Sequence, residues 1–296
     1  MKHRKKSKDI APYLFCLPFI IAFFVIYLYP FCKTIMMSFQ DVRPTGENVF
    51  IGMRNFRNLF TDHFTTALRN TLVYTVLNTS VQFVLGMMFA LILNRYIPMR
   101  NLLRCTIFVP VLTSTIIAGI IFRLLFGSLE TSLANQIALG LGLIEEPVAW
   151  LTQGQMTGNI MMVIVACWRS TGVTMIYFLS ALQGVPEELK EAARIDGANN
   201  VQVFRHITIP SIRPTLIYVL TMSILGGFSV FTESYALWNT ATPGDIGLTM
   251  TRYLYQMGFN KVNFGMASAI GIILMIIICS INLIQLKCLG LFREED

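Results

Sequence analysis

The chain has 296 residues, of which 54% are hydrophobic and only 13% are charged, and its formal net charge is +7. Soluble domains carry about a quarter charged residues, so this composition excludes an ordinary soluble domain and indicates a protein of the lipid bilayer. The basic excess does not indicate a nucleic-acid partner, because the Lys and Arg residues lie between apolar segments, where cytoplasmic loops of membrane proteins are enriched in them.

Six apolar stretches predict an all-α membrane protein with six transmembrane helices. About 20 residues are needed to cross the hydrocarbon core, and the stretches lack Asp, Glu, Lys and Arg apart from one arginine in the fourth. Within the fourth we expect the helix itself near Asn159–Leu182, since residues 151–158 are polar. In chain order the stretches are Ile10–Cys32, Asn70–Asn94, Cys105–Phe122, Pro147–Pro186 (interrupted by Arg169), Pro214–Thr232 and Val262–Leu286.

The distribution of basic residues predicts cytoplasmic termini for a multi-pass membrane protein. Five Lys or Arg residues within Met1–Lys8 precede the first span, which we expect to remain uncleaved, and an even number of spans returns the C-terminus to the same side. We expect a unit of residues 1–65 and a five-helix core of residues 66–290. The loops assigned to the cytoplasm contain Arg95, Arg100, Arg104, Lys190, Arg194, Arg205 and Arg213, whereas the loop after the third span contains Glu130, Glu145 and Glu146.

A charged segment, residues 184–213, lies between the fourth and fifth spans. Pro186 suits the first turn of a helix, and the carboxylates of Glu187, Glu188 and Glu191 would complement its positive N-terminal end. The pattern therefore predicts a short charged helix at the membrane surface.

A second short helix is expected directly after it. Gly197 permits a tight turn, and Asn199 or Asn200 can cap a helix over Val201–His206. The segment 207–210, which ends in proline, is expected to stop that helix and lead into the fifth span. Together the two helices form a predicted hairpin.

The spacing of Glu191-Ala192-Ala193, Gly197, Ile207 and Pro210 resembles the cytoplasmic loop of the permease subunits of bacterial type I ABC importers. The family's loop usually ends in Leu-Pro, where this chain has Ile209-Pro210, a conservative departure. Further segments resemble the carbohydrate-uptake branch of that family. These are Gly52–Phe56, Asn70-Thr71, Ala181–Gln183 before Val185-Pro186, and Thr249 with Tyr253.

The resemblance implies the type I importer transmembrane fold, a location in the bacterial cell membrane, and several partners. These would be a second homologous permease, two ABC ATP-binding subunits, an extracytoplasmic solute-binding protein and a small sugar substrate. ATP and Mg²⁺ would bind the partner ATPase subunits. The residues expected in the ATPase-coupling loop are Glu187, Glu188, Glu191, Ala192, Ala193, Asp196, Gly197, Ile207 and Pro210.

No catalytic, cofactor or metal site is predicted in this chain. It contains no Gly-x-x-x-x-Gly-Lys-Ser/Thr phosphate loop, and its three histidines, His3, His63 and His206, lie outside the spans. ATP hydrolysis is therefore assigned to another polypeptide.

Two ionisable residues at the spans, Arg169 and Glu233, are candidates for a substrate cavity, because intramembrane charges normally face a bundle interior or a water-filled cavity. The alternative is a purely structural role, in which they pair with each other or Arg169 donates to backbone carbonyls. Asn78 and Gln82 are expected to form interhelical hydrogen bonds. The aromatic residues proposed with the two charges, as faces for sugar rings, are Trp168, Tyr177, Phe228, Phe231 and Tyr235.

Two alternatives to an oligosaccharide permease remain open. A polyol phosphate such as glycerol phosphate would suit Arg169. A six-span ion-coupled carrier or channel would need membrane-embedded carboxylates, and only Glu233 lies near the membrane.

Overall fold

The computed structural model describes residues 11–42, 48–239 and 243–289, and these are predominantly helical. Within this part of the chain, four helices are long and apolar enough to cross a membrane, and two bent pairs reach that length together. The four are α1 Tyr13–Ser38, α3 Asp62–Asn94, α7 Gln155–Gln183 and α13 Phe264–Cys288. The bent pairs are α4 Arg100–Leu112 with α5 Thr115–Leu125, and α9 Asn200–Ser211 with α10 Arg213–Phe228. The shorter elements are α2 Arg54–Asn58, α6 Leu133–Gly140, α8 Glu187–Ile195, α11 Thr232–Trp238, α12 Met250–Tyr255, β1 Gln40–Asp41 and β2 Val49–Phe50.

The chain divides into two compact units. The first contains the described residues up to Phe60 together with Leu254–Ile273, and the second contains Thr61–Tyr253 and the described residues from Leu274. The first unit thus includes a later segment that the predicted unit of residues 1–65 does not contain.

In the first unit, α1 leads into a small hairpin of β1 and β2, paired antiparallel. Asn55 on α2 is buried and donates hydrogen bonds of 2.9 Å to the carbonyl oxygens of Ser38 and Gln40. The most apolar window of α1 has no residue buried by the described chain, as expected of a helix whose side chains face lipid.

In the second unit, α3 packs along α7. Gly86 permits the close approach, because a Cβ at this position would lie 2.5 Å from Thr174 Cγ2. The buried side of α3 contains several polar residues that recur at helical spacing. They are Asn70, Thr71, Thr75, Asn78, Thr79 and Gln82.

The third predicted span is not one straight helix. The expected helix Cys105–Phe122 is broken between α4 and α5, whose axes differ by 96°. Pro110 lies in a 3₁₀ turn, Val109–Leu112, and Thr113 then adopts an extended conformation with ψ 132°. Because proline has no N–H and its ring clashes with the preceding turn, α-helix does not continue through it.

The fifth predicted span, Pro214–Thr232, is also shorter than expected, because α10 ends at Phe228 and the separate helix α11 begins at Thr232. The other four apolar stretches each form one helix. α7 lies within one turn of its predicted bounds, α3 begins at Asp62 and not at Asn70, and α1 continues to Ser38.

Candidate functional site

The charged segment after α7 forms the two-helix hairpin of the first candidate site. Pro186 precedes α8 in an extended conformation with ψ 130°, so the helix starts at Glu187. α8 ends at Ile195, and Gly197 has φ +87°, in the left-handed region that glycine adopts without a side-chain clash.

The second helix of the hairpin begins with a capping box. Asn199 Oδ1 accepts hydrogen bonds from the backbone N–H groups of Val201 and Gln202, and the Gln202 side chain accepts one from the N–H of Asn199. The N-cap is therefore Asn199, the first of the two expected asparagines.

The prediction that residues 207–210 stop this helix is wrong, because α9 continues to Ser211. A π turn over Phe204–Thr208 precedes Pro210, and the Ser211 hydroxyl donates to the carbonyl oxygen of Ile207 at 2.6 Å. The wider turn accommodates a proline that has no N–H to donate. The actual break lies at Ile212, where α9 and α10 meet at 70°.

The hairpin presents charges and apolar side chains to its surroundings. Glu187 pairs with Lys190 at 2.8 Å and with Arg194 at 3.7 Å, and the hydrogen bond from Lys190 lowers the pKa of the Glu187 carboxyl. Ile195 and Val201 are 86% and 73% exposed, which leaves an apolar surface that the described chain does not cover.

The predicted coupling residues fall into two groups in the structure. Four line a groove of about 320 Å³ between the two helices, namely Ala193, Asp196, Gly197 and Ile207. The others are exposed and do not line this groove: Glu187, Glu188, Glu191, Ala192 and Pro210.

The second candidate site is an open cavity of about 290 Å³ in the second unit. Its walls come from α3 and α7, which are distant in sequence from each other, and from the consecutive helices α10 and α11. Of the seven predicted cavity residues, Arg169, Tyr177 and Glu233 line it. The polar and aromatic residues that join them include Tyr74, Asn78, Gln82, Ser170, Tyr218 and Ser223.

Arg169 and Glu233 form an ion pair in the wall of this cavity. Arg169 Nη2 lies 3.4 Å from Glu233 Oε1, and the two side chains are 26% and 10% exposed. The structure therefore combines both readings of these residues: they pair with each other, and both line the cavity. Arg169 Nε is buried without a hydrogen-bond partner in the described chain.

The other four aromatic candidates lie away from this cavity. Trp168 packs edge-on against Phe122 with a centroid distance of 5.5 Å, and Phe228 is buried at 2% exposure. Phe231 and Tyr235 stack on each other at 5.4 Å. Of the five predicted aromatic residues, only Tyr177 lines the cavity, where its ring contacts that of Tyr218 at a centroid distance of 5.3 Å.

The expected interhelical bonds of Asn78 and Gln82 are only partly present. Gln82 Nε2 donates to Asn78 Oδ1 at 3.1 Å within α3, and the contact across to α7 is from Cys167 Sγ to that oxygen at 3.8 Å. Both amides line the cavity. Their spacing of four residues, which places both on one face of α3, was the available signal for this role.

Sequence reasoning also missed Arg252, which anchors the helix that contains Glu233. Arg252 is 1% exposed and donates hydrogen bonds to the Ser234 carbonyl, to Ser234 Oγ at 3.0 Å and to the Asn239 carbonyl at 2.6 Å. One guanidinium thus holds α11 near its start and at its end.

No group of His, Cys, Asp or Glu that could hold a metal ion occurs among the described residues. The arrangement offers an exposed apolar surface on the hairpin and a polar cavity.

Residues 82–286 match the family model described as "Binding-protein-dependent transport system inner membrane component". The arabinooligosaccharides transport system permease protein AraP of Bacillus subtilis (strain 168) is 48% identical over 290 residues, covering 98% of this chain and 91% of that protein. A crystal structure of a bacterial ABC transporter involved in the import of the acidic polysaccharide alginate matches with a TM-score of 0.83 and 25% identity over 97% of both chains. A second alginate transporter structure, in complex with an alginate pentasaccharide-bound periplasmic protein, matches with a TM-score of 0.80 and 25% identity over 94% of this chain and 93% of that chain.

Proposed function

This chain belongs to the family of inner membrane components of binding-protein-dependent transport systems, and we propose that it is a permease subunit that carries a sugar or oligosaccharide into the cell with energy from ATP. The observation that supports this most strongly is the 48% identity with an arabinooligosaccharide permease over nearly the whole chain. The chain is a multi-pass protein of the cell membrane.

The proposed topology has six spans, with each bent pair counted as one, and cytoplasmic N- and C-termini. The helices α8 and α9 then form a cytoplasmic coupling hairpin that docks on an ATP-binding subunit. The exposed Ile195 and Val201 support such docking, because apolar side chains on a charged hairpin favour burial against a protein partner.

ATP and Mg²⁺ are proposed to bind two partner subunits, since this sequence has no phosphate-binding loop. A second permease would complete the translocation path. An extracytoplasmic binding protein would deliver the substrate, by analogy with the alginate transporter whose structure includes one.

The cavity favours a neutral sugar over the alternative of a polyol phosphate. Its only charged lining residues are Arg169 and Glu233, which pair with each other, so no uncompensated cation remains there for a phosphate. Amides, hydroxyls and the Tyr177–Tyr218 pair supply the hydrogen bonds and ring faces that a sugar needs.

Uptake of a labelled arabinooligosaccharide by the four-component transporter in proteoliposomes tests this function. We expect uptake that requires ATP inside the liposomes and the binding protein outside, and that persists when ion gradients are dissipated. Uptake that survives without ATP and collapses with the ion gradient would instead establish an ion-coupled carrier.

A further inference from the structure

Two arginines on α4 share a single neutral acceptor at the end of α7. With the Gln183 amide oriented so that its oxygen faces them, that oxygen accepts hydrogen bonds from Arg104 Nη2 at 2.9 Å and from Arg100 Nη2 at 2.5 Å. The two positive groups are therefore held close together, where like charges repel.

This arginine pair has no anion to balance it in the described chain. The ion pairs found there include neither Arg100 nor Arg104, and the neighbouring Arg95 is also absent from them. The Nε atoms of Arg100 and Arg104 are buried and lack hydrogen-bond partners. Two guanidinium groups with unused, buried donors indicate a missing acceptor that carries negative charge.

A cavity of about 430 Å³ is lined by Arg100, while Arg104 reaches it through the shared contact with Gln183. Asn94, Gln183 and Lys190 contribute further polar groups to it, and the one carboxylate at its wall, Glu187, already pairs with Lys190. The space has room for a phosphate group, and the surrounding charge is positive.

The neighbouring surface is apolar and uncovered. Tyr96 and Met99, in the turn between α3 and α4, and Leu102 on α4 are 101%, 68% and 55% exposed. They follow Asn94, where the charge-free run of α3 ends, so they lie at the level where headgroups meet acyl chains. A basic pocket bordered by exposed apolar side chains at this depth suits an anionic lipid. Its headgroup can bind the basic residues while its acyl chains contact the apolar side chains.

We propose that Arg100 and Arg104 bind the phosphate of an anionic phospholipid of the cytoplasmic leaflet, with the help of Arg95, which lines an adjoining cavity that shares Asn94 and Lys190 with this one. The leaflet assignment rests on the topology under the proposed function. The lipid headgroup would tie α4 to the end of α7, directly before the coupling hairpin, and its acyl chains would cover Met99 and Leu102.

Native mass spectrometry of the assembled transporter, released from nanodiscs of phosphatidylcholine and phosphatidylglycerol, tests the site. We expect the wild type to retain phosphatidylglycerol selectively. In Arg100→Gln/Arg104→Gln the affinity should fall roughly thirtyfold (about 2 kcal/mol), at about one kcal/mol per basic residue. The Lys pair, Arg100→Lys/Arg104→Lys, should retain more lipid than the Gln pair, since it keeps the charge.

Arg123→Gln is the matched control, because Arg123 is exposed on α5 of the same bent pair. It should retain lipid as the wild type does. Arg95→Gln changes an exposed side chain and should weaken retention even if the double variant fails to fold.

Three outcomes would overturn the proposal. These are equal retention in the wild type and the Gln pair, displacement of the lipid by millimolar inorganic phosphate, and loss of the lipid whenever the ATP-binding subunits are bound. The second would identify a soluble anion as the ligand, and the third a protein interface. Retention is measured without transport, so a failure of sugar uptake would refute the proposed function and leave this result unaffected.

Discussion

Arg169 and Glu233 are 64 positions apart in sequence, yet Arg169 Nη2 and Glu233 Oε1 lie 3.4 Å apart in the wall of the polar cavity. One partner stands on the long helix α7 and the other on the short helix α11. The pair therefore connects α11 to α7. It also leaves the two charges in the cavity wall balanced against each other.

We predict that removing one partner of this ion pair lowers the stability of the protein more than removing both partners. Arg169→Gln or Glu233→Gln alone leaves one largely buried charge without its partner, which costs about 3 kcal/mol, whereas the double variant leaves none. The thermal unfolding of the solubilised transporter measures the difference. Additive losses in this double-mutant cycle would show that the two side chains are not coupled.

The Glu233→Gln variant should also change the selectivity between acidic and neutral oligosaccharides. Glu233→Gln frees the Arg169 guanidinium in the cavity, so uptake of an acidic oligosaccharide should rise relative to a neutral one. Competition between a uronate oligosaccharide and a neutral oligosaccharide in the uptake assay measures this ratio. An unchanged ratio in Glu233→Gln would place substrate recognition elsewhere.

Two adjacent glycines on α10 should respond differently to the same substitution. A Cβ at Gly227 would lie 2.7 Å from Thr75 Cγ2, whereas a Cβ at Gly226 has open space around it. Gly227→Ala should therefore destabilise the fold by about 1–3 kcal/mol through overpacking, and Gly226→Ala should leave the unfolding temperature nearly unchanged. Equal shifts for both variants would contradict the close packing of α3 and α10.

The hairpin turn should tolerate little change. Gly197→Asp forces a side chain into φ +87° at a strain of about 1 kcal/mol or more, and Glu191→Lys reverses an exposed charge on the proposed docking surface. We expect each to lower ATP-dependent uptake by about tenfold or more, the effect of weakening docking by 1.4 kcal/mol. Membrane insertion should be unaffected. Gly140→Asp is the control, because Gly140 faces open space without a positive φ. Normal uptake in both hairpin variants would refute the coupling role.

Substitution of the buried Arg252 should cost far more stability than substitution of an exposed arginine in the second unit. Arg252→Met leaves the Ser234 and Asn239 carbonyls without their donor, at a cost of about 3 kcal/mol in stability. Arg69→Met, which changes an exposed side chain, should cost little. Unfolding temperatures of the two variants compare these costs, and an equal effect would show that Arg252 does not anchor α11.

The sequence predicted the elements whose signals are local. Charge-free runs located α7 and α13 within a few residues, and the glycine and asparagine between α8 and α9 predicted a turn and a cap that the structure contains. The bend after Pro110 is not visible in the hydropathy, because the residues around it remain apolar. The proline itself was a local signal that the prediction of one straight span did not use.

The cavity could be predicted only in part, for a related reason. Neighbours in a helix point about 100° apart, so Trp168 faces Phe122 although the adjacent Arg169 faces the cavity. Tyr218 joins the cavity from a different helix, which no pattern within one segment can show.

The break at Ile212 has a mechanical consequence. Ile212 is 2% exposed, and backbone hydrogen bonds of 3.1 Å continue through it from Leu216 and to Thr208. Ile212 is thus a buried junction about which the two helices could rotate as one body. α9 extends about 18 Å to one side of it, and α10 extends about 24 Å to the other. If the two helices turn together by about ten degrees, the hairpin end moves about 3 Å and the far end of α10 about 4 Å. A small displacement of the hairpin would then produce a slightly larger displacement of α10 near the cavity.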